Sequence, residues 1–350
     1  MSVVALAAAE DWACQVLVSV GLSVEDAQLV SANLAYAETR GVATHGMMRL
    51  QTYVQRIRAG GINRAARVRI DADLGALVII DADDGPGASA GAYASDLAVA
   101  RGREFGVGCV VARNANHFGA AGFFANRIAD AGLVGLAACN TESVMCAPAG
   151  GRPVLGTNPL AVAVPLPYDR RPQLDMATTT ASQGKLLVAA QQGQPIPAGW
   201  AVDAMGQPTT SPSDGLEGAL LPSGGPKGFG LAFVIDSLVA LSGANVSTGV
   251  SALNGDPATP QRLGHLFLAI RADAAAPLSE YGDRISGLVD AIHASGIDPG
   301  AKPPMAPGEP ELAHARSVDG RLELSKALLD ELADVAAETG VPLPGPLEAP

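Results

Sequence analysis

Few cysteines, few lysines, few histidines and few aromatic residues are found in this 350-residue chain, and each shortage closes a class of function. The four cysteines, Cys14, Cys109, Cys139 and Cys146, form no C-x-x-C pair and no cluster with histidine. No metal site is therefore expected, and their scatter among apolar residues predicts reduced core thiols in a cytoplasmic protein. Lysine occurs only at positions 185, 227, 302 and 326, and the formal net charge is −12. That balance argues against nucleic acid or an anionic membrane as a partner. No run of about 18 apolar residues is present, so no membrane span is expected, and the start of the chain lacks the basic-then-apolar order of a signal peptide. What the chain does have is 48% hydrophobic residues against 17% charged ones, enough for a large core and too apolar for disorder. The length fits roughly two domains.

Hydrophobic periodicity divides the chain into three stretches. Residues 3–20 and 24–38 read as amphipathic helices, with Ser23 and Asp26 resembling a capping box for the second. A third helix is expected from His45 to Ala59, closed by Gly60-Gly61, so residues 1–65 read as an all-helical N-terminal segment. From about residue 66 the period changes. Strands are expected at 68–70, 76–80, 108–112, 134–138, 159–164, 174–177 and 266–270, with helices at 88–104, 119–131 and 228–243 between them. Residues 66–275 thus read as an α/β body. Residues 276–350 are expected to hold helices at 278–294 and 325–338, the last capped by Ser325, and to pack with the N-terminal segment. The Pro- and Gly-rich stretches 192–226, 245–262 and 298–312 read as long loops.

Two short motifs invite assignment. Gly85-Pro-Gly-Ala-Ser-Ala-Gly91 follows an apolar strand and opens a helix, as the G-x-G-x-x-A turn of a dinucleotide fold does, with Arg113 at the next strand end as a possible 2′-phosphate reader. The same stretch matches G-x-S-x-G, which would make Ser89 a hydrolase nucleophile, with His265 or His293 as the formal base. The plain alternative is that small residues there let a helix pack closely on a sheet.

The five histidines offer a better lead. His45 lies in Thr44-His45-Gly46 and His117 in Asn116-His117-Phe118-Gly119, polar and glycine-flanked settings at the ends of elements. Imidazole titrates near neutrality and is the usual proton-transfer group. Arg49 follows His45 by four residues, and a guanidinium there could hold a carboxylate through two parallel hydrogen bonds. Lys227 lies in Gly224-Gly-Pro-Lys-Gly-Phe-Gly230 at the start of an apolar helix, a setting suited to phosphate or ribose. His265, His293 and His314 read as structural or loop residues.

Taken together and in order, Glu38 to Arg49, Asn114 to Gly122, Gly156-Thr-Asn-Pro159, Asp175-Met176-Ala177, Gly224 to Leu231 and Pro307-Gly308-Glu309 resemble the type 2 malate/L-lactate dehydrogenase family. The resemblance covers residues 5 to 340. It implies an α/β fold whose NAD(P)-binding sheet is not a Rossmann fold, flanked by a helical domain built from both chain ends. It also implies NAD or NADP as cofactor, a small carboxylic acid as substrate and a homodimer of interlocked subunits. Thr44, His45, Arg49 and His117 take the catalytic positions, with His45 and His117 both carried as proton-transfer residues. Asp175, Met176, Ala177, Lys227, Gly228, Pro307, Gly308, Glu309, Asn140 and Thr157 take the cofactor positions. The chain departs from the family's usual residues at Thr44, where serine is common, at Pro226 and at Gln183.

The leading expectation is hydride transfer between nicotinamide and C2 of a 2-hydroxy/2-oxo acid of the malate, lactate or sulfolactate type. Reduction of a cyclic imine carboxylate is the alternative, because C=N accepts a hydride and a proton as C=O does. A Ser89 hydrolase and a catalytically silent binding protein are remote ones.

Overall fold

The computed structural model describes residues 2–298 and 300–346. It opens with a strand, which corrects the all-helical reading of the N-terminal segment. β1 (Ser2–Ala5) pairs antiparallel with β12 (Arg321–Leu324), more than 300 residues later, before α1 (Leu6–Ser19) and α2 (Val24–Thr39) begin. Such a partner leaves no local signal, since Val3-Val4-Ala5 continues the apolar pattern of α1. The Ser23 hydroxyl accepts the Asp26 N–H, as a capping residue should, and α3 (Leu50–Ala59) ends at Gly60 in the left-handed region at φ 91°. The expected helix from His45 does not form as one piece. Two single 3₁₀ turns, Ala43–His45 and Met47–Arg49, precede α3.

The body is a seven-stranded sheet in the order β2-β3-β4-β11-β5-β6-β7. Its strands are β2 (Arg69–Asp73), β3 (Leu77–Asp81), β4 (Val107–Ala115), β5 (Leu133–Cys139), β6 (Leu160–Ala163), β7 (Gln173–Met176) and β11 (Leu263–Arg271). Only β3 and β4 run parallel, joined by α4 (Gly87–Phe105); every other neighbour is antiparallel. This is not the doubly wound parallel sheet of a dinucleotide fold. α4 and α5 (Ala121–Asp130) cover one face, where Val110, Ala112, Phe267 and Ala269 are buried. α8 (Pro226–Val239) covers the other, over Val111, Ala138 and Leu266. β4 and β11 are therefore apolar on both faces, and their near-continuous Val/Leu/Ala sequence follows from that double burial.

The expected loops hold more order than their composition signals. α6 (Gln183–Gln191), β8 (Ala201–Val202), β9 (Pro208–Thr209), α7 (Pro212–Glu217) and β10 (Ala219–Leu220) form a small subdomain around Leu186, Ile196 and Ala201. Two-residue strands are too short to show an alternation. After α9 (Leu278–Ala294), α10 (Glu309–Val318) begins inside the stretch read as a loop, because prolines at 303, 304, 307 and 310 mask its start. α11 (Lys326–Thr339) is capped by Ser325, whose hydroxyl accepts the Leu328 N–H. Its Leu332 and Val335 join the core formed by Trp12, Val16, Leu50 and Val54 of the N-terminal helices. α10 reaches the end of α2, where Gly41 lies against the His314 ring. α9 stands apart, with none of its residues fully buried.

The Gly85–Gly91 turn serves packing. A Cβ at Gly87 would lie 2.1 Å from the Asn116 carbonyl oxygen and 2.5 Å from that of His117. Its glycine brings the start of α4 against the segment that carries His117. Ser89 Oγ is buried and makes no hydrogen bond among the described residues, and His293 is engaged with Glu309, so no hydrolytic triad forms around it.

His265, in the middle of β11, is fully buried against Phe118 and Phe267. Burial lowers its pKa to about 3. The unfolded chain takes up this proton below about pH 6.5 while the folded chain does not, so stability is full above that pH and falls as pH drops towards 3. His265→Phe should remove about 2 kcal/mol of the stability lost between pH 7 and pH 5. Denaturant titrations at the two pH values measure this, and equal pH dependence in both proteins would contradict it.

Candidate active site

The site is assembled where three irregular segments meet. The first is the pair of 3₁₀ turns around Gly46. Glu38, buried at the end of α2, accepts the Met47 N–H at 2.7 Å. A Cβ at Gly46 would sit 2.1 Å from Glu38 Oε1, so glycine is required for the chain to wrap over that carboxyl. The wrap replaces the helical spacing expected of His45 and Arg49. Arg49 instead folds back, its Nε donating to the Thr44 carbonyl at 2.6 Å. Thr44 is thereby in contact with both His45 and Arg49.

The second segment is the end of β4. The register against β11 shifts between Leu263 and His265, and Asn114 takes a left-handed φ of 52° with its amide on Asp81 Oδ2 at 3.0 Å. A bulge of this kind re-aims the residues that follow. Asn116 then donates to the carbonyls of Asp84 and Gly85, and the His117 N–H donates to Gln261 Oε1 at 2.9 Å. His117 is thereby brought beside His45. The two rings stack with centroids 5.5 Å apart and planes 28° apart.

The third segment is α3, which supplies Tyr53. Its hydroxyl lies 2.7 Å from His117 Nδ1, and the Gly119 N–H donates to the same nitrogen at 3.3 Å. Thr44 Oγ1 lies 3.0 Å from His45 Nδ1. Behind Tyr53 and His117 the wall is apolar (Leu34, Ile57, Ile62 and Phe118), and the cavity there, about 10 Å³, holds at most one water.

Both histidine rings are half-buried, and the protein around them sets their charge state. Burial, and then the Arg49 guanidinium, hold His45 down to about 4. Burial lowers His117 well below the usual imidazole value, with His45 and Arg49 adding to it. Both rings are neutral at pH 7. Burial likewise pushes the Tyr53 phenol up, so it keeps its proton. Glu142 completes the polar surroundings; burial raises its carboxyl while the Leu253 N–H, Arg49 and Arg56 oppose the shift.

The residues expected to hold a cofactor lie mostly along β7, the open edge of the sheet. The Gln173 N–H points outward to the Pro307 carbonyl at 2.9 Å. By strand alternation the main-chain groups of Asp175 point the same way, with no neighbouring strand to meet them. The Asp175 carboxylate accepts the Gly122 N–H at 2.8 Å, tying this edge to the His117 segment. Solvent reaches Asp175, yet the protein around it raises its carboxyl to about 6. Met176 and Ala177 are half-buried beside it. Thr178 donates both its N–H and its hydroxyl to the Thr157 carbonyl, and its own carbonyl accepts the Ser223 N–H, which places the Gly224–Gly228 turn at the far end of the strand.

At that turn, Lys227 is exposed and makes no ion pair among the described residues. The N–H groups of Lys227, Gly228 and Phe229 are already taken by turn carbonyls. The turn therefore offers a ligand the ammonium rather than a ring of amides. Gly308 caps α10 at φ 89° and rests on Gln173. An open strand edge with a carboxylate, and an ammonium at the turn beyond it, are groups able to hold a dinucleotide.

Two expected side chains are engaged elsewhere. Asn140 is fully buried; its amide donates to Asp236 and to the Asn245 carbonyl, and its Oδ1 accepts the Gly264 N–H. Glu309 turns to the outer side of α10, where it bonds His293 Nε2 at 2.9 Å and accepts the Ala306 N–H. It lines a separate cleft of about 770 Å³ under α9. Conversely, Tyr53, Glu38, Gln261 and Glu142 shape the site but were not singled out from the sequence. Tyr53 reads as an ordinary core position of α3, and only its polar tip near a histidine-bearing turn signals more. No group of His, Cys, Asp and Glu able to hold a metal ion is found among the described residues.

Comparison with known proteins identifies the family. The sequence profile described as Malate/L-lactate dehydrogenase matches residues 4–333. The L-sulfolactate dehydrogenase of Methanocaldococcus jannaschii is 36% identical over 93% of this chain and 94% of its own. Its solved structure superposes with a TM-score of 0.90 at 34% identity, covering 97% of this chain and 98% of that one. The (2R)-3-sulfolactate dehydrogenase (NADP(+)) of Chromohalobacter salexigens is 33% identical over 94% of this chain and 96% of its own. The structure of delta1-piperideine-2-carboxylate reductase from Pseudomonas syringae covers 96% of this chain and 100% of that one, with a TM-score of 0.85 and 29% identity. The chain belongs to the malate/L-lactate dehydrogenase family and is an oxidoreductase.

Proposed function

We propose that the chain transfers a hydride between NAD or NADP and C2 of a small 2-hydroxy/2-oxo carboxylic acid. The observation that carries this reading is the pair of neutral imidazoles stacked beside a buried arginine. Oxidation of an alcohol needs a base at its hydroxyl, and an imidazole kept uncharged by burial can accept that proton at neutral pH. Arg49 spends Nε on Thr44, which leaves its two terminal nitrogens for a substrate carboxylate. Low surrounding polarity strengthens both contacts. A bound nicotinamide would take up or supply the hydride at C2. Asp175, Met176 and Ala177 would hold it along β7, with Thr157 supporting that edge and Lys227 meeting phosphate or ribose.

The piperideine-carboxylate reductase neighbour supports a second substrate class, a cyclic imine carboxylate, for which Arg49 and the histidines would serve unchanged. Four free cysteines are in keeping with a cytoplasmic enzyme. The exposed apolar residues Phe233, Val234 and Leu238 of α8, with Leu241 in the 3₁₀ turn after it, support a homodimer, because a lone chain gains nothing from wetting them. Sedimentation equilibrium should give twice the 35.3 kDa chain mass; a single-chain mass at micromolar concentration would remove the dimer.

The functional test follows nicotinamide absorbance while NADH and NADPH are each offered with pyruvate, oxaloacetate, sulfopyruvate, diketogulonate and the pyrroline- and piperideine-2-carboxylates. Oxidation of the cofactor with one oxo acid is expected. His45→Ala should then lower turnover by roughly 10²–10⁴, and Lys227→Ala should raise the cofactor KM with little change in kcat. Silence with every acid and imine, together with no cofactor binding, would overturn the reading.

A further inference from the structure

The two histidines are backed differently, and the difference assigns them different work. His117 Nδ1 faces two donors. The Gly119 main-chain N–H can only donate, so a proton on Nδ1 would meet it head-on. Nδ1 is therefore the bare nitrogen, and the Tyr53 hydroxyl at 2.7 Å donates to it as well. His45 Nδ1 faces only the Thr44 hydroxyl, which both donates and accepts. His45 is thus free to gain or lose a proton without breaking its contact, and His117 is not.

We propose that Tyr53 is a positioning residue that, with the Gly119 N–H, locks His117 in the Nε2–H tautomer, so that His117 serves as a neutral hydrogen-bond donor to the C2 oxygen and leaves the proton exchange to His45. This rests on the hydride-transfer reading above. In the oxidising direction the hydroxyl O–H bond breaks and its proton passes to His45 Nε2. The C2–H electron pair leaves as hydride to an oxidised nicotinamide, and the C2=O bond forms. His45 holds its remaining ring proton against Thr44 Oγ1. His117 keeps its Nε2 proton throughout, and its bond to the oxygen strengthens as negative charge builds there, the work of an oxyanion donor. The stacked rings are close enough for one oxygen to meet both. With Arg49 beside them, a neutral donor also avoids a second buried cation.

The test has a spectroscopic arm and a kinetic arm. Ring-nitrogen NMR on the whole protein, with no substrate added, should show His117 protonated at Nε2 and bare at Nδ1, and Tyr53→Phe should shift the Nδ1 resonance as it loses one of its two donors, with the tautomer then held by the Gly119 N–H alone. A proton on Nδ1 in the unaltered protein overturns the inference whatever the substrate is. With an acid that the protein turns over, His117→Gln keeps an N–H donor and should lose about ten-fold in kcat, while His117→Ala should lose roughly 10²–10³. The acid limb of the pH–rate profile should survive in His117→Gln, and Tyr53→Phe should lower kcat with the cofactor KM unmoved. If glutamine is as poor as alanine and the acid limb vanishes, His117 exchanges the proton and the inference fails. Turnover of none of the acids, with the Nε2–H tautomer intact, would instead count against the substrate reading.

Discussion

Everything at this site depends on keeping two half-buried imidazoles uncharged beside a buried guanidinium. Each of the three would be more comfortable in water. They are held together because the backbone leaves them no other place: Glu38 and Gly46 fold the chain over itself to deliver His45 and Arg49, and the β4 bulge delivers His117. The cost of burying Arg49 is partly offset by its bond to the Thr44 carbonyl and by the nearby Glu142. A substrate carboxylate would complete that compensation, which is a physical reason for the pocket to prefer an acid over a neutral alcohol.

The strand proposed to hold the cofactor uses a different device. The edge of a sheet carries unpaired main-chain groups that most proteins protect. Here β7 is the edge of the main sheet, pinned at one end by Pro307 and at the other by the Gly224–Gly228 turn. The Asp175–Gly122 bond ties this open strand to the helix that follows the His117 segment. The network of Tyr36, Gln173 and Asn126 behind it adds further stiffness without touching the cleft.

Much of this was legible in the residues, for reasons that separate local from distant causes. α2, α4 and the strands of the body carry their own periodicity, and Ser23, Gly60 and Ser325 mark boundaries by local hydrogen bonding that the structure reproduces. His45 and His117 stand out because polar, glycine-flanked residues are unusual at element ends in so apolar a chain, and Arg49 by its four-residue spacing from His45. What could not be read depends on partners far along the chain. β1 is a strand only because β12 reaches back to it. Tyr53 is a core residue by period and a site residue only through His117. Asn140 and Glu309 were both expected at the cofactor, yet Asp236 and His293 engage their side chains, and neither partner is near in sequence. The Gly85–Gly91 turn shows the reverse error, a motif-like string whose glycine answers to the crowding of Asn116 and His117 carbonyls.

The most direct test of this account is a histidine ring titration by NMR on the protein without ligands. An ordinary imidazole titrates near 6.5. The account predicts a His45 midpoint near 4 and a His117 midpoint well below that ordinary value. Either ring titrating near 6.5 would show that the pocket is wet or the guanidinium distant, and would contradict the constraint on which the site is built.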